Sequence, residues 1–240
     1  YLHWAASSRA VLVHSEYMRR TLAPLVPVPV KNVGLAVHPA FLGNRPTRPP
    51  YGPPYAVLIA GRDLQQKGLA VAHRAVRHLS CSMDVRLVAA GADYPLVRLR
   101  TSAWGQLERV SEVDVGGMVA LLDRVHACVR PSWTEGGGIG VMEAMARGIP
   151  TLVTDVGGLR EVGAEGRSVV VARGDHKSLA EGLCRVLTDG SFRETMTAAA
   201  ERWVVERTPA QMAEKVLESY RQAMRDLPPQ ERGDGSCTPR

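Results

Sequence analysis

The sequence predicts an α/β fold built on a doubly wound parallel sheet, and three features predict it. Short apolar segments alternate with helical patterns over residues 55–206, as consecutive strand–helix–strand units do. The segments VLIA, VRLVAA and TLVT are almost continuously apolar, which fits strands buried on both faces. Glycines follow several of these segments directly, at the strand ends where ligands of such folds sit.

Taken in order, residues 10–14 form a short buried strand, and Ser15 is placed to cap a helix running to Leu22. Residues 30–37 read as another strand. The stretch 43–54 is dense in proline and holds Gly43, Asn44 and Gly52, so it reads as a linker. Strands are then expected at 55–60, 84–90, 107–110, 126–130, 151–154 and 168–171. Helices are expected at 69–79, 118–125, 139–147, 179–187, 192–206 and 210–225, with a short one after Gly158. The division that results is 1–42 as the tail of a preceding domain, 43–54 as linker, 55–206 as the main domain, 207–225 as a C-terminal helix and 226–240 as a polar, disordered tail.

Composition narrows the function classes. Apolar residues make up 45% and charged residues 22% of 240, as in an ordinary globular protein with room for a sizeable core. The net charge of +6 is uneven: residues 1–100 hold 13 Lys/Arg against 4 Asp/Glu, whereas 101–240 hold 17 against 20. A basic first half favours an anionic partner, or is a solvated arginine-rich face. No basic run interleaved with aromatics points to nucleic acid. Cys81, Cys128, Cys184 and Cys237 form no CxxC pair, which argues against a zinc site or disulfide framework and for a reducing compartment. No apolar run is long enough to span a membrane and no signal peptide is evident, so a cytoplasmic protein is expected. The chain starts at Tyr1 inside a patterned segment and is expected to be a fragment.

Four stretches carry candidate chemistry. After the first main-domain strand comes Gly61-Arg62-Asp63-Leu64-Gln65-Gln66-Lys67-Gly68. Its two cations suit a diphosphate, Arg62 as a planar fork and Lys67 as a point charge; the alternative is a surface loop with two ordinary charges. Gly91-Ala92-Asp93 follows the next strand and is either a ligand loop or a simple turn. The third stretch, PSWTEGGGIGVMEAMARGIP at 131–150, places Glu135 before a glycine run and Glu143 one turn into a helix. That helix start attracts anions, and Gly136, Gly137 and Gly138 let a ligand lie against the backbone. Both carboxylates suit hydroxyl groups of a sugar or ribose; the alternative is a helix-dipole charge and a surface glutamate. In the fourth stretch, after the strand at 151–154, Glu161 either caps the short helix that follows or faces the cleft. The seven histidines show no HExxH or paired spacing, and His126 reads as structural.

The stretch PSWTEGGGIGVMEAMARGIPTLVTDVGGLREV resembles the signature of retaining glycosyltransferases with two Rossmann-like domains, the GT-B group often called family 4. The two carboxylates of that family match Glu135 and Glu143, and its Gly-Arg and Lys-Gly loop matches Gly61-Arg62 and Lys67-Gly68, in the same order. Gly-Gly-Leu-x-Glu at 157–161 and Gly174-Asp175 also fit. The chain departs from the pattern at Gly137, where an aromatic is usual, at Gly91-Ala92-Asp93, where Gly-x-Gly is common, and at Ala36, where a glycine is usual.

The resemblance implies a Rossmann-like C-terminal half of a GT-B fold with a remnant of the N-terminal acceptor domain. It implies that Arg62 and Lys67 hold a donor diphosphate, Glu135 the sugar hydroxyls, and Glu143 the ribose. Backbone groups of Gly61, Gly137, Gly138 and Ile139 would lie near sugar and phosphate, and the base near Val110 and Glu112. It further implies hexose transfer from a nucleotide-diphosphate sugar with retention and without a metal or other cofactor. The acceptor stays unnamed: a sugar, a lipid-linked glycan or a small molecule. Two alternatives stand beside this: a sugar-nucleotide-binding module without transfer activity, and a nucleotide-sugar epimerase, which shares the two-domain fold. The basic first half leaves room for peripheral contact with anionic lipid at the inner face of the membrane.

Overall fold

The computed structural model describes residues 8–44, 51–91 and 107–225. The expected linker therefore lies in part, and the expected tail at 226–240 entirely, outside the described residues, as do Cys237, Ala92 and Asp93.

The main domain is a six-stranded sheet of β3 (Tyr55–Ala60), β4 (Val85–Ala90), β5 (Leu107–Val110), β6 (Ala127–Arg130), β7 (Thr151–Thr154) and β8 (Val169–Val171). Every pairing is parallel and the order is β5-β4-β3-β6-β7-β8. β3 and β6 sit side by side at the centre, in register at Val57 with Ala127 and Leu58 with Cys128. The strand order reverses between them, and this switch point opens a crevice at their carboxyl ends.

Alternate strand residues feed two cores. Val57, Ile59, Leu87, Val129 and Leu152 face one layer with α2 (Leu69–Leu79) and α6 (His176–Thr188). Leu58, Ala60, Val88, Cys128 and Val153 face the other, with α3 (Val115–Leu122), α4 (Ile139–Ala146) and α5 (Leu159–Gly163). Burial on both faces explains the unbroken apolar strands. In α4 the small residues Ala144 and Ala146 are fully buried, so the helix lies close to the sheet. Two further helices, α7 (Gly190–Val204) and α8 (Pro209–Arg225), follow as the last described elements.

Residues 8–34 form a separate small unit, and the segment that follows joins the main domain, with Val37 and Phe41 buried in the second core. β1 (Val11–Val13) and β2 (Val30–Asn32) pair in parallel around α1 (Glu16–Leu22). Ser15 caps α1 as expected, accepting from Met18 N at 3.2 Å.

Three elements differ from the sequence expectation by three or more residues at an end. The strand read at 30–37 stops at Asn32, because the Asn32 side chain accepts from Gly34 N at 2.9 Å and Gly34 takes φ +78. Helix α3 begins three residues before 118, because Asp114 caps it through Gly117 N and carries the two glycines into the first turn. Helix α6 starts at His176 rather than Leu179, because Asp175 accepts from both Lys177 N and Ser178 N.

Candidate active site

Two loops meet at the switch point, and glycines are what let them meet. Loop 61–68 leaves β3 through Gly61 (φ +151), whose N–H donates to Ala90 O at 2.9 Å. Asp63 accepts from Gln66 N, and Leu64 is buried, so the loop is a fixed turn. At Gly68 (φ +85) a Cβ would overlap the Pro131 carbonyl oxygen. Trp133 N donates to Gln66 O at 2.9 Å, joining this loop to the turn after β6. These contacts bring Lys67 Nζ to 2.8 Å from Glu135 Oε2. The pair is largely shielded, at 17% and 16% side-chain exposure. Arg62 stands exposed on the same loop.

The glycine turn 136–138 is clasped from both sides. Ser15 Oγ donates to Gly136 O at 2.6 Å, and Gly158 N donates to Glu135 O at 3.0 Å. A Cβ at Gly137 would stand 2.7 Å from Leu35 Cδ1. The space a side chain at 137 would enter is therefore held by Leu35, a residue of the segment after β2, which explains the departure noted at this position. Gly138 (φ +128) packs against Leu159 and opens α4, leaving Ile139 46% exposed at its first turn. Glu143 lies half-buried on the next turn. Burial pushes its carboxyl pKa up, and the charge of Arg130 opposes that shift.

Of the base-side residues, Val110 O accepts from Gly91 N at 3.2 Å, and a Cβ at Gly91 would overlap Gly61 O. Gly61, Gly91 and Val110 thus share one strand-end platform. Glu112 is exposed two residues on, and no hydrogen bond or ion pair among the described residues ties it to the others.

Glu161 caps a helix other than the one that follows Gly158, and it also lines the cavity that touches the glycine turn. Its carboxylate accepts from Tyr17 N at 2.5 Å and Glu16 N at 3.0 Å, capping α1 across the gap between the two units. His126 is structural as read: Nδ1 accepts from Ala56 N at 3.0 Å, and the ring lies edge-on to Tyr51 and Tyr55. A cavity of about 800 Å³ lies between the small unit, α5 and α8, touching the glycine turn at Gly137. Lys67, Glu135 and Glu143 do not line it, so these candidate residues lie beside the cavity rather than in it.

Two residues were not singled out from the sequence. Leu35 could be found only through the fold. Arg130 carries a signal, a lone cation closing the apolar strand ACV just before Pro131. It is buried, with its guanidinium between Gly61 and Gly140.

A parallel sheet of this order, with its loops converging at the switch point, defines a Rossmann-like domain. The chain belongs to the group 1 glycosyl transferases, whose family model matches residues 54–189. It is 31% identical over 175 residues to an uncharacterized glycosyltransferase of Methanocaldococcus jannaschii, covering 70% of this chain and 45% of that one. It is 30% identical to a phosphatidyl-myo-inositol mannosyltransferase of Mycobacterium leprae, over 68% of this chain and 46% of that one. The chain therefore spans about half the length of the curated relatives it matches. Sucrose-phosphate synthase from Thermosynechococcus elongatus shares the fold at TM-score 0.79 and 19% identity, over 93% of this chain and 60% of that one. Anabaena HepE in complex with UDP-glucose also matches at TM-score 0.79, with 14% identity, over 92% and 66%. No helix among the described residues is long and apolar enough to cross a membrane.

Proposed function

We propose that this chain is the donor-binding half of a retaining hexosyltransferase that uses a nucleoside-diphosphate sugar. The observation that supports it most is the Lys67–Glu135 pair at 2.8 Å, where the loops of β3 and β6 close on each other. Such a pair offers a cation to a diphosphate and an acceptor to sugar hydroxyls within one small volume. In this reading Arg62 and Lys67 hold the diphosphate and Glu135 the transferred sugar. Glu143 holds the ribose, and Val110 and Glu112 mark the base. Gly137, Gly138 and Ile139 supply backbone contacts at the start of α4. The UDP-glucose bound to the HepE neighbour and the mannosyl transfer named for the M. leprae relative favour the same donor class.

During transfer the bond between the anomeric carbon and the diphosphate oxygen breaks. The acceptor oxygen bonds to the same face of the sugar, and its proton passes to the departing phosphate. Arg62 and Lys67 stabilise the charge that grows on that phosphate, an electrostatic role that needs no metal. Donor binding is accordingly expected to survive a chelator, and its loss in EDTA would contradict this.

A second reading, a nucleotide-sugar-binding module without transfer, is favoured for these 240 residues by their covering half of the relatives' length. A thermal-shift panel of UDP-, GDP- and ADP-sugars tests both. Weak stabilisation by one base class with little or no transfer is expected. Stabilisation by none would contradict the donor site, and glucosyl or mannosyl transfer by the purified chain would contradict the module reading. We further propose a cytoplasmic location, with the basic first half in peripheral contact with anionic lipid. Co-sedimentation with phosphatidylglycerol vesicles but not with neutral ones is expected.

A further inference from the structure

Arg130 closes β6 and is only 7% exposed. Its Nε has no hydrogen-bond partner, and its guanidinium forms no ion pair among the described residues. Two glycines make room for it. The Cβ position of Gly61 lies 3.2 Å from Nη1, and a Cβ at Gly140 would overlap Nη2. Gly140 is the second residue of the eight-residue helix α4, so the guanidinium stands beside that helix's first turn. This is the positive end of the helix, and its first N–H groups have no partner within the helix. A buried cation beside a helix N-terminus is unfavourable by itself, and an anion shared between the two relieves both. Glu143 Oε2 lies 3.8 Å from the Gly140 Cβ position but does not close onto the guanidinium.

We infer that Arg130 is a phosphate-binding residue of the donor site, taking a phosphate oxygen of the nucleotide together with the start of α4. The inference rests on the donor site proposed above and adds a third cation to Arg62 and Lys67. It also assigns a role to Gly140: a side chain there would displace the guanidinium.

Calorimetry with the nucleoside diphosphate that stabilises the chain most, with its nucleoside and with inorganic pyrophosphate, tests this on the full chain. In Arg130→Met the diphosphate affinity should fall by about tenfold or more, as for loss of a charge-assisted contact, while nucleoside affinity holds. Arg130→Lys should recover only part of the loss, because the planar fork is gone. Gly140→Ala should reproduce the loss with Arg130 intact, and thermal midpoints check that the variants are folded. Equal diphosphate affinity in the wild type and Arg130→Met would overturn the inference. So would an equal loss for diphosphate and nucleoside, which marks a structural role, or a loss confined to pyrophosphate, which marks a free-phosphate site. A wild-type chain that binds no nucleotide would instead sink the donor site itself.

Discussion

Helix α4 has a buried arginine at each end, and the two are opposites. Arg147, 1% exposed, follows its C-terminus and is fully engaged. Nε and Nη2 each donate to the Asp123 carboxylate at 2.8 Å, and Nη1 and Nη2 donate to Gly43 O and Asn44 O at 3.1 Å. A cation at the negative end of a helix, bidentate to a carboxylate, is stabilising on every count. Arg130 stands at the positive end, between glycines, with Nε unpartnered among the described residues. In the reading proposed above, Arg147 serves stability and Arg130 serves an anion.

The comparison breaks most sharply at Arg147. Arg147→Met leaves the Asp123 carboxylate without its partner, and should cost about 3–5 kcal/mol of stability by urea unfolding. Next come Arg62→Ala and Lys67→Ala, each expected to weaken nucleotide-sugar binding by about 1.5–3 kcal/mol in calorimetry; stability should change little in Arg62→Ala but fall in Lys67→Ala, which leaves the shielded Glu135 carboxylate without its partner. Unchanged affinity in both would remove the phosphate assignment.

Glu143→Gln should weaken donor binding by about 1.5 kcal/mol, as for loss of a charged acceptor. Its stability effect runs the other way. Burial raises the folded-state pKa of Glu143, so the folded chain holds this proton more tightly than the unfolded chain does. The stability this gives is complete below the ordinary carboxylate value and is lost as pH rises through the folded value. The Gln variant should lack that decline and be the more stable form at neutral pH; an unchanged pH profile would contradict the burial of this charge. The smallest effect is expected at Arg130→Met, where stability should move by less than about 1 kcal/mol, because no partner is orphaned. A loss as large as that of Arg147→Met would erase the contrast between the two ends.

Much of the fold was legible because it is written locally. β3, α2, β5 and β7 lie at the residues their apolar patterns mark. α3 was displaced because the expected helix began only after Gly116 and Gly117, whereas the Asp114 cap admits both to the first turn. Within the site, Lys67 and Glu135 were legible as strand-end residues, but their pairing depends on Gly68 passing beneath Pro131, a contact across 63 positions. The partners of Glu161 were hidden for the same reason, since Glu16 and Tyr17 lie in another unit. Leu35 filling the space beside Gly137 is likewise invisible to any local pattern.

The central claim is that the nucleotide sits at the β3/β6 switch point. Hydrogen exchange on the full chain, with and without the stabilising nucleotide sugar, locates it directly. Slowed exchange is predicted at the amides of 61–68 and 136–140, with the 43–44 and 123–124 amides near Arg147 unchanged. Protection confined to the cavity beside α8, with 61–68 and 136–140 unaffected, would contradict the account.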